Sequence, residues 1–585
     1  MQVTVLEKIP EDPEIILAWD NLVFQMDRPE VFYTQQWALA ASRAFSDSLC
    51  PLTFLVYESG RLAGVAALAS NRESPDTAFF LTASTADYCD VVSAPETRAA
   101  VLAAVIEKMN ELGVRDLVLA NVPAESHTLR AMATVARAHR FHLHERHGYD
   151  CGVISLGDQE QRQAVLQSVA RKEKEKRGLK KLGQLGPIQV AHLNPDQLET
   201  GLEPIFTAQI SRFLATNRLS PLIRPERRCF LRELAGLLSS AGWLKVSQLE
   251  VNGRAVAWNY GFRFFDSWFW YLPAFQIEYE ESSPGSCLLR LLTEEACADL
   301  SVGRLDLGLG GEAYKERFSN AICSTRYVQL SKSIMRHLAN VGRYWLAVSS
   351  SRFPAFDKQL RAGRNLFHDL QNRIGKTGVA ASAMHALTRV KGSVVSKEAV
   401  ALFEAPPMNI SENESMALSP LGWENIASAA MYNADDEQTL EYLARSAQRL
   451  RQGRAAGYYL PGRGLQGQGT QPSHFLWVDL YDGFHLSEID SRLESSDPSA
   501  VMIFDCWTPV AQRGQGHYAT AIRWAAAYLQ KQQKQVWIFS ATGNESSVSG
   551  ILKAGFVYRF SLVRSRTLWH TRVSSREGTT DRPEY

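Results

Sequence analysis

Apolar and polar positions follow a common pattern in three successive segments of the chain. Each segment opens with a helical pattern, continues with a hairpin whose second strand is apolar, and closes with a late helix before another strand. In the first segment, residues 53–57 and 62–68 predict the hairpin, and residues 98–112 predict a helix that ends at Gly113. The pattern therefore indicates several units of mixed α/β structure.

The second and third segments have the same order of elements. Residues 243–249 and 255–262 predict a hairpin around Asn252 and Gly253, a pair that suits a two-residue turn with positive φ. In the third segment, residues 501–507 predict a strand that is followed by a glycine-rich turn and an apolar helix. The chain is predicted to divide into a first unit at 1–150, a second at 151–335, a helical linker at 336–400 and a third unit at 401–575.

The linker and one loop are predicted from their composition. Residues 344–348 and 367–374 have helical patterns, and the small residues at 378–383 predict a loose joint between the units. Residues 462–473 are rich in glycine and glutamine and predict a long surface loop.

Length and composition narrow the class of protein. The chain has 585 residues, more than the roughly 250–300 at which a single hydrophobic core stops growing. Its residues are 45% apolar and its net charge is +1, so we expect a globular protein without a DNA partner. No stretch reaches the roughly 20 apolar residues of a membrane span, and the N-terminus lacks a secretory pattern. The eight cysteines are not spaced as metal ligands, so we expect reduced thiols, no metal and a cytoplasmic location.

A candidate anion site follows the strand at 501–507. Residues 512–516 form a glycine-rich turn, and an apolar helix begins directly after it at His517. Glycines let a phosphate approach the backbone, and the free N–H groups and dipole of a helix N-terminus favour negative charge. The turn is therefore predicted to accept a pyrophosphate group.

A second motif follows in a fixed order. After a strand at 536–540 come Asn544, Ser547 and then Lys553, Gly555 and Phe556, the pattern of a capped helix that ends at a glycine. Together with Arg513-Gly514-Gln515-Gly516, this motif resembles the GNAT acyltransferase superfamily. The resemblance implies that the R-G-x-G amides bind the pyrophosphate of acetyl-CoA or another acyl-CoA and that Asn544 lies near the thioester. The expected cofactor-binding residues are Gln512, Arg513, Gly514, Gln515, Gly516, His517, Tyr518, Asn544 and Ser547.

The segment departs from this family pattern at two positions. Tyr518 stands where small residues are common, and Ile551 stands where many relatives have a tyrosine that protonates the leaving thiolate. Either another group or water protonates the thiolate, or the domain binds acyl-CoA without catalysing a reaction. Asp505 is a candidate catalytic base for a substrate ammonium, and it is equally compatible with a strand-end carboxylate bonded to backbone donors. Cys506 and His517 are the other nearby polar residues, and His517 is better explained as the start of the helix.

The N-terminal two-thirds has a second set of motifs. They are Trp37, Asp87-Tyr88, the basic segment 171–181, residues 255–257, Tyr279, residues 283–285, and the segment 305–318. In the last of these, an aspartate on a strand is followed by G-x-x-x-Y-K-x-x-F. These motifs resemble the CelD/BcsL-like acetyltransferases, relatives of the FemABX transferases, over residues 1–335. The resemblance implies two fused GNAT-like halves, so the predicted fold class is α/β with mixed sheets, two GNAT-like units in the N-terminal part and one at the C-terminus.

Polar residues in this stretch are candidates for a substrate groove. Lys315 and Arg317 follow a glycine-rich turn and could reach a phosphate or carboxylate, while Asp306 could hold them or act as a base. Asp306 and Lys315 are therefore candidate catalytic residues. The candidate substrate-binding residues are Asp87, Tyr88, Glu312, Tyr314 and Arg317. In the alternative interpretation, Asp306 caps the turn and Tyr314 packs in the core.

Two other features have both an ordinary and a functional explanation. The charge run at 171–181 is typical of a solvated helix with ion pairs such as Glu173–Arg177, or of a cationic face toward an anionic substrate. Aromatic strand residues could stack on a sugar but are more often part of a core. Here they are Trp258, Trp268, Trp270 and Tyr271.

Three functional hypotheses follow. The first is an acyl-CoA-dependent N- or O-acyltransferase with a small-molecule or sugar-type acceptor, in which the resemblance to the CelD/BcsL group implies a polysaccharide precursor. The second is a FemABX-like transferase that uses aminoacyl-tRNA, against which the turn at 513–516 and the net charge of +1 argue. The third is a CoA-binding scaffold without catalysis, which Ile551 keeps open.

Overall fold

The computed structural model describes residues 1–352, 396–408, 418–462, 472–566 and 571–577. The chain divides into two compact units, of which unit 1 is Met1–Arg212 with Arg224–Ser349 and unit 2 is Phe213–Ile223 with Ser350–Tyr585. The predicted helical pattern at 367–374, the joint at 378–383 and most of the loop at 462–473 lie outside the described residues.

Up to residue 352, groups of strands are separated by helices. The strands are β1 (Gln2–Leu6), β2 (Leu49–Glu58), β3 (Arg61–Asn71), β4 (Ser74–Phe80), β5 (Val92–Ser93), β6 (Asp116–Pro123), β7 (His142–Ser155), β8 (Ile188–His192), β9 (Leu244–Val251), β10 (Arg254–Phe264), β11 (Ser267–Phe275), β12 (Arg304–Leu309) and β13 (Ala321–Ser331). The α-helices are α1 (Pro13–Phe24), α2 (Gln35–Ala44), α3 (Arg98–Glu111), α4 (His127–Ala138), α5 (Gln159–Ala170), α6 (Glu173–Gly183), α7 (Leu198–Ala215), α8 (Pro225–Ser240), α9 (Pro284–Ala298), α10 (Ala313–Phe318) and α11 (Ile334–Arg352).

Both predicted hairpins of unit 1 are confirmed. β2 pairs antiparallel with β3, and β9 pairs antiparallel with β10. Asn252 and Gly253 have φ of 51° and 75°, the geometry of a primed turn whose twist matches that of the two strands. Most of β10 is buried, as expected for an apolar strand inside a sheet.

A single sheet runs through both predicted N-terminal segments. Its order is β1-β2-β3-β4-β6-β13-β7-β12-β11-β10-β9-β8, with β5 beside β3. β13, the last strand of the second segment, pairs with β6, and β7, the last strand of the first segment, pairs with β12. The two segments thus exchange their last strands, and each completes the sheet of the other. The predicted boundary between residues 150 and 151 lies inside β7.

Unit 2 forms a separate sheet. Its strands are β14 (Ser396–Glu404), β15 (Ser419–Pro420), β16 (Ala456–Pro461), β17 (Pro472–Leu480), β18 (His485–Leu486), β19 (Ser491–Arg492), β20 (Ala500–Trp507), β21 (Gln535–Ala541), β22 (Val557–Arg566) and β23 (Thr571–Glu577). Its α-helices are α12 (Trp423–Tyr432), α13 (Glu437–Gln452), α14 (His517–Lys531) and α15 (Glu545–Lys553). The sheet order is β15-β16-β17-β20-β21-β14-β22-β23, and β18 pairs with β19.

The sheet of unit 2 has a hydrophobic core on each face. α14 and α15 cover one face, where Ile551 is fully buried among apolar residues of both helices and of the strands. The connection from β17 to β20 covers the other face with Tyr481, Leu486, Ile489 and Leu493. Successive side chains of a strand point to opposite faces of the sheet. The apolar runs in the sequence therefore supply residues to both cores.

All three predicted GNAT-like segments contain a pair of parallel strands joined by a helix. β4 pairs in parallel with β6, β11 with β12, and β20 with β21, and a helix (α3, α9 or α14) connects each pair. Parallel neighbours need such a crossover. Each parallel pair therefore has a strand end that is followed by a helix N-terminus. Within the described part of the chain, no helix has the length and apolar character needed to cross a membrane.

Candidate functional site

A cavity of about 650 Å³ lies between the ends of β20 and β21 in unit 2. The strands pair in parallel from Ala500 to Ile503 and are unpaired with each other beyond that point. Residues 503–508 form one wall and residues 538–541 the other. Cavities of this volume are typical of small-molecule sites.

A β-bulge opens this cavity. Phe475 pairs with Trp507 and Trp477 with Phe504, so β20 has one more residue than β17 over this stretch. Asp505, in the bulge, has a φ of 44°, an uncommon conformation for a residue other than glycine. A bulge bends its strand and increases the local twist, which explains why β20 leaves β21 here.

The predicted anion site lies at one end of the cavity. Gly514 and Gly516 both have a φ of 79°, which residues with a Cβ rarely adopt. Gly516 is the N-cap of α14, and no side chain caps the helix. The first N–H groups of α14 therefore have no intrahelical partner and can bind an anion.

Arg513 lines the cavity and also stabilises the turn. Its Nε donates to the carbonyl of Thr508 at 3.1 Å, and its guanidinium lies 5.0 Å from the ring centre of Trp507. These contacts fix the backbone that precedes Gly514. Backbone amides and the helix dipole are thus the main anion-binding groups of the turn.

The N-terminus of α15 lies on the same cavity. Asn544 is the N-cap of α15, and its Oδ1 accepts from the Ser547 N–H at 3.2 Å and the Ser546 hydroxyl at 2.9 Å. The Ser547 hydroxyl contacts the Tyr518 hydroxyl at 3.0 Å. Two helix N-termini and one tyrosine hydroxyl therefore meet in one wall.

Tyr518 occupies space that a glycine leaves free. A Cβ at Gly550 would lie 2.5 Å from the Cδ1 of Tyr518, so only glycine at this position of α15 lets the ring take this place. Burial raises the pKa of Tyr518 well above its ordinary value, with a smaller effect of Cys506 in the same direction. The hydroxyl is therefore protonated at neutral pH and is a possible proton donor.

His474 on β17 is a cavity residue that the sequence did not reveal. Its Nδ1 is 2.7 Å from the Thr508 hydroxyl, and among the described residues its buried Nε2 has no hydrogen-bond partner. Burial, with His517 nearby, lowers the pKa of His474 to about 3, so the imidazole is neutral. A buried nitrogen without a partner on a cavity wall indicates a place for a ligand polar group.

Asp505 is paired with a cation. Its Oδ2 is 2.7 Å from the Nη1 of Arg449, whose guanidinium lies 5.0 Å from the ring centres of both Trp477 and Phe504. The Asp505 carboxylate is therefore engaged by a guanidinium group of the protein itself. Burial raises the pKa of Cys506, with Asp505 acting in the same direction, so its sulfur is a thiol rather than a reactive thiolate.

The structure brings most of the predicted cofactor-binding residues together. Gln515 is the exception, because it does not form part of the cavity wall. Its side-chain oxygen lies 3.2 Å from the Nε2 of His517. His517 is the first residue of α14, as predicted. The predicted residues on the wall are Gln512, Arg513, Gly514, Gly516, His517, Tyr518, Asn544 and Ser547.

A buried charge cluster surrounds Asp306 in unit 1. Asp306 lies on β12 and is fully buried. Its Oδ1 accepts from the Gly308 N–H at 2.9 Å, and its Oδ2 accepts from the Tyr88 hydroxyl at 2.9 Å and pairs with Arg28 at 3.2 Å. Asp306 therefore caps its turn, as in the alternative interpretation, and also contacts a predicted substrate residue. Nothing in the local sequence pattern pointed to Arg28.

Asp87 and Lys315 lie beside this cluster. The Nζ of Lys315 pairs with Glu312 at 3.1 Å and is 3.5 Å from the carbonyl of Gly308. Burial raises the pKa of Asp87 to about 7, the Asp306 carboxylate adds to this, and Lys315 opposes it. Asp87, Tyr88, Glu312, Asp306 and Lys315 therefore form one group of ionisable side chains.

Replacing Asp87 with asparagine is expected to stabilise the protein more at pH 8 than at pH 5. Between about pH 3.8 and about pH 7, Asp87 is protonated in the folded protein and ionised in the unfolded chain. The stability of the wild type therefore falls as the pH rises through this range. Asparagine removes this loss. The difference in Tm between variant and wild type, measured at both pH values, checks the prediction.

Asp76→Asn is the matched control. The Arg336 hydrogen bond lowers the pKa of Asp76, so its carboxyl is ionised at pH 5 and pH 8 alike. Its effect on Tm should be the same at both pH values. A pH-independent effect of Asp87→Asn would contradict the prediction.

Two other candidate residues of unit 1, Tyr314 and Arg317, have different partners. Tyr314 accepts from the Nε1 of Trp270 at 3.2 Å and packs against the hydrophobic core, as the alternative interpretation held. Arg317 pairs with the buried Glu175 of α6 at 3.2 Å. Their contacts are those of residues that hold α10 and α6 in place.

The basic segment forms α6, but one predicted pair is wrong. Glu173 pairs with Lys176 at 2.9 Å, and the Nε of Arg177 donates to the backbone carbonyl of Glu173 instead of its carboxylate. The i,i+3 partner is closer here than the i,i+4 partner. The aromatic residues Trp258, Trp268 and Trp270 are buried, which favours their interpretation as core.

Comparison with known proteins identifies the class of domain. Residues 170–316 match the family model of the acetyltransferase (GNAT) domain. The match covers about a quarter of the chain and confirms the predicted resemblance to this superfamily for the second N-terminal segment. The mixed α/β structure of the predicted fold class is confirmed by the two mixed sheets and their helices.

Solved structures that match the chain have low sequence identity to it. They include FemX (10% identity, 58% of this chain and 99% of that chain, TM-score 0.40), a tandem GNAT protein from the clavulanic acid biosynthesis pathway (11%, 56% and 98%, 0.32), and an acetyltransferase of the GNAT family from Colwellia psychrerythraea (9%, 64% and 98%, 0.22). No curated protein sequence matches the chain.

Proposed function

We propose that unit 2 is an acyltransferase that moves an acetyl or other acyl group from acyl-CoA to an amine or hydroxyl. One observation carries the proposal: the uncapped N-terminus of α14, after Gly514 and Gly516, opens into the same cavity as the separated ends of β20 and β21. The amides of the turn would hold the pyrophosphate. Ile503, Phe504 and Ile538 give the cavity an apolar wall for the rest of the donor.

Tyr518 is the proposed proton donor to the departing thiolate. Ile551, at the position where many relatives have a tyrosine, is fully buried in the core. The Tyr518 hydroxyl reaches the N-terminus of α15 from the neighbouring helix and contacts Ser547 at 3.0 Å. Its hydroxyl is protonated at neutral pH and lies on the cavity wall. A backbone amide of β20 would stabilise the oxyanion that develops on the carbonyl.

Isothermal titration of acetyl-CoA into the full chain tests the donor site. Changing both Gly514 and Gly516 to valine is expected to abolish binding, because both residues have a φ of 79° that valine adopts only with strain. The first N–H groups of α14 would then be displaced from the anion. Loss of binding should be at least 100-fold.

Gly113→Val is the matched control for this experiment. Gly113 has a φ of 78°, and a Cβ there would meet no atom within 4 Å, as at both turn glycines. It lies in unit 1, at the end of α3, so its substitution adds similar strain without touching the turn. A wild-type chain that does not bind acetyl-CoA, or a double variant that binds normally, would refute the donor site.

A second candidate is transferase chemistry in unit 1. The match of residues 170–316 to an acetyltransferase domain favours it, as does the group formed by Asp87, Asp306 and Lys315. Asp306 and Lys315 would be its catalytic residues, and the donor would be acyl-CoA or, as in the FemABX alternative, an aminoacyl-tRNA. Transfer that survives in the variant with valine at 514 and 516 would support unit 1. A full chain that binds CoA at unit 2 but transfers nothing would favour the scaffold.

A further inference from the structure

A second cavity adjoins the donor cavity in unit 2. Its volume is about 680 Å³, and it shares Glu488, Phe504, Asp505 and Phe539 with the first. The bulge in β20 is therefore a wall of both cavities. A molecule in the second cavity can meet a molecule in the first only at this shared wall.

Arginines from the end of α13 line one side of the second cavity. Arg445 and Arg449 are one helical turn apart, and Arg454 follows the end of the helix. Arg449 pairs with Asp505 at 2.7 Å. Arg445 lies 5.8 Å from the ring centre of Tyr442, and neither it nor Arg454 has an ion-pair partner within the described part of the chain. Two guanidinium groups are thus available to an anion.

Two further carboxylates, those of Asp479 and Asp482, also line this cavity. Asp479 accepts from the Leu480 N–H at 2.8 Å, and Asp482 accepts from the Ser495 N–H at 3.0 Å. Both carboxylates are therefore held by backbone donors, Asp479 within β17 and Asp482 in the loop that follows it. The arginine side chains of this cavity still offer guanidinium groups, which prefer phosphate and carboxylate.

Glu488 lies where the two cavities meet. It follows β18, and its Oε2 accepts from the Ser487 hydroxyl at 3.1 Å. It has no cationic partner among the residues that the structure describes. Unlike Asp505, Glu488 is thus free to bind an ammonium group and to accept a proton from it.

We propose that the second cavity binds the acceptor, and that the acceptor is a small amine with a phosphate or carboxylate group. This inference rests on the proposed function of unit 2. Arg445 and Arg454 hold the anionic group, and Glu488 takes one proton from the ammonium. The amine nitrogen then forms a C–N bond to the acyl carbon while the C–S bond breaks. The thiolate takes a proton from Tyr518, and the second proton leaving the nitrogen restores that tyrosine.

Direct titration of three related amines into the full chain tests the acceptor class. Ethanolamine is the neutral probe, phosphoethanolamine carries a phosphate, and β-alanine carries a carboxylate. We expect at least one anionic amine to bind tenfold or more tightly than ethanolamine. Changing Arg445 and Arg454 to glutamine is expected to remove this preference, whereas Arg523→Gln, an exposed arginine on α14 outside the cavity wall, should leave it intact.

The outcomes separate this inference from the proposed function. Equal binding of all three amines, or a preference that survives Arg445→Gln with Arg454→Gln, overturns the acceptor class. Failure of acetyl-CoA to bind while the anionic amines still bind overturns the transferase instead. Preference for phosphoethanolamine over β-alanine, or the reverse, assigns the anionic group. Glu488→Gln should keep binding of the anionic amine but lower kcat, and an unchanged kcat removes Glu488 from the reaction.

Discussion

Changing Tyr518 to phenylalanine is expected to lower kcat for acyl transfer by about 100-fold or more, the usual contribution of a positioned general acid. Phenylalanine keeps the ring that packs over Gly550 and removes only the hydroxyl that contacts Ser547. The KM for acetyl-CoA should stay within about twofold, because the amides that hold the pyrophosphate are unchanged. The effect is therefore confined to the departure of the thiolate.

Release of free thiol, followed with the best amine of the acceptor series, measures this effect. Tyr528→Phe is the matched control, since Tyr528 lies on the same helix and is 46% exposed on the outside of the unit. It should leave kcat unchanged. Binding of acetyl-CoA by each variant shows whether the donor site is intact.

The leaving group gives a second, independent readout. An acetyl thioester of an aromatic thiol releases a much less basic thiolate, which needs little help from an acid. The defect of Tyr518→Phe should therefore shrink strongly with that donor if Tyr518 is the acid, and stay the same if Tyr518 only shapes the cavity. Full activity of Tyr518→Phe with acetyl-CoA would rule out the proposed role.

The parts of the site that sequence predicted are those encoded in neighbouring residues. Gly514, Gly516 and Asn544 occur at fixed distances from a strand end or a helix start, and their role depends on backbone geometry within a few residues. Spacing also identified Ile551 as a departure from the family pattern. It could not show that Tyr518, on another helix, reaches the Ser547 hydroxyl.

Residues that distant elements bring to the site were not predictable in this way. His474 reaches the cavity because β17 pairs with β20, and Arg449 because α13 lies against the bulge at Asp505. Glu488 lies on a loop without any motif. Strand pairing and loop placement depend on the whole unit, so a single sequence gives no local signal for them.

The fold was predicted in its elements but not in its connections. Alternating patterns gave both hairpins of unit 1, because each is formed within about twenty residues. The exchange of β7 and β13 joins strands that are far apart in the chain. The Tyr88 hydroxyl, 2.9 Å from Asp306, is another contact between the two predicted segments that no local pattern reveals.

Changing Arg98 to alanine is expected to destabilise unit 1 by about 3–5 kcal/mol, the usual cost of removing one partner from a buried ion pair. Arg98 begins α3 and is fully buried. It pairs with Asp90 at 3.2 Å, donates to the Ser93 hydroxyl at 2.7 Å and contacts the Thr128 hydroxyl at 3.2 Å. These bonds hold the connection that carries Asp87 and Tyr88.

Chemical denaturation combined with hydrogen exchange of the α3 amides measures this loss in unit 1. Arg43→Ala is the control, because Arg43 is 45% exposed and pairs with Glu11 and Glu233 at the surface. Such a pair contributes about 0–1 kcal/mol. A loss for Arg98→Ala no larger than that of the control would contradict the prediction.

The charge of Asp90 accounts for much of the expected loss. Burial raises the pKa of Asp90, and Arg98 opposes that rise. Without Arg98 the pKa of Asp90 rises further, so the carboxyl protonates in the folded protein at a higher pH than in the unfolded chain. The variant should then lose less stability at pH 4 than at pH 8. The double variant Arg98→Ala with Asp90→Asn should regain part of the stability at pH 8, because the unpaired charge of Asp90 is removed. A loss of stability caused by packing alone would not be regained.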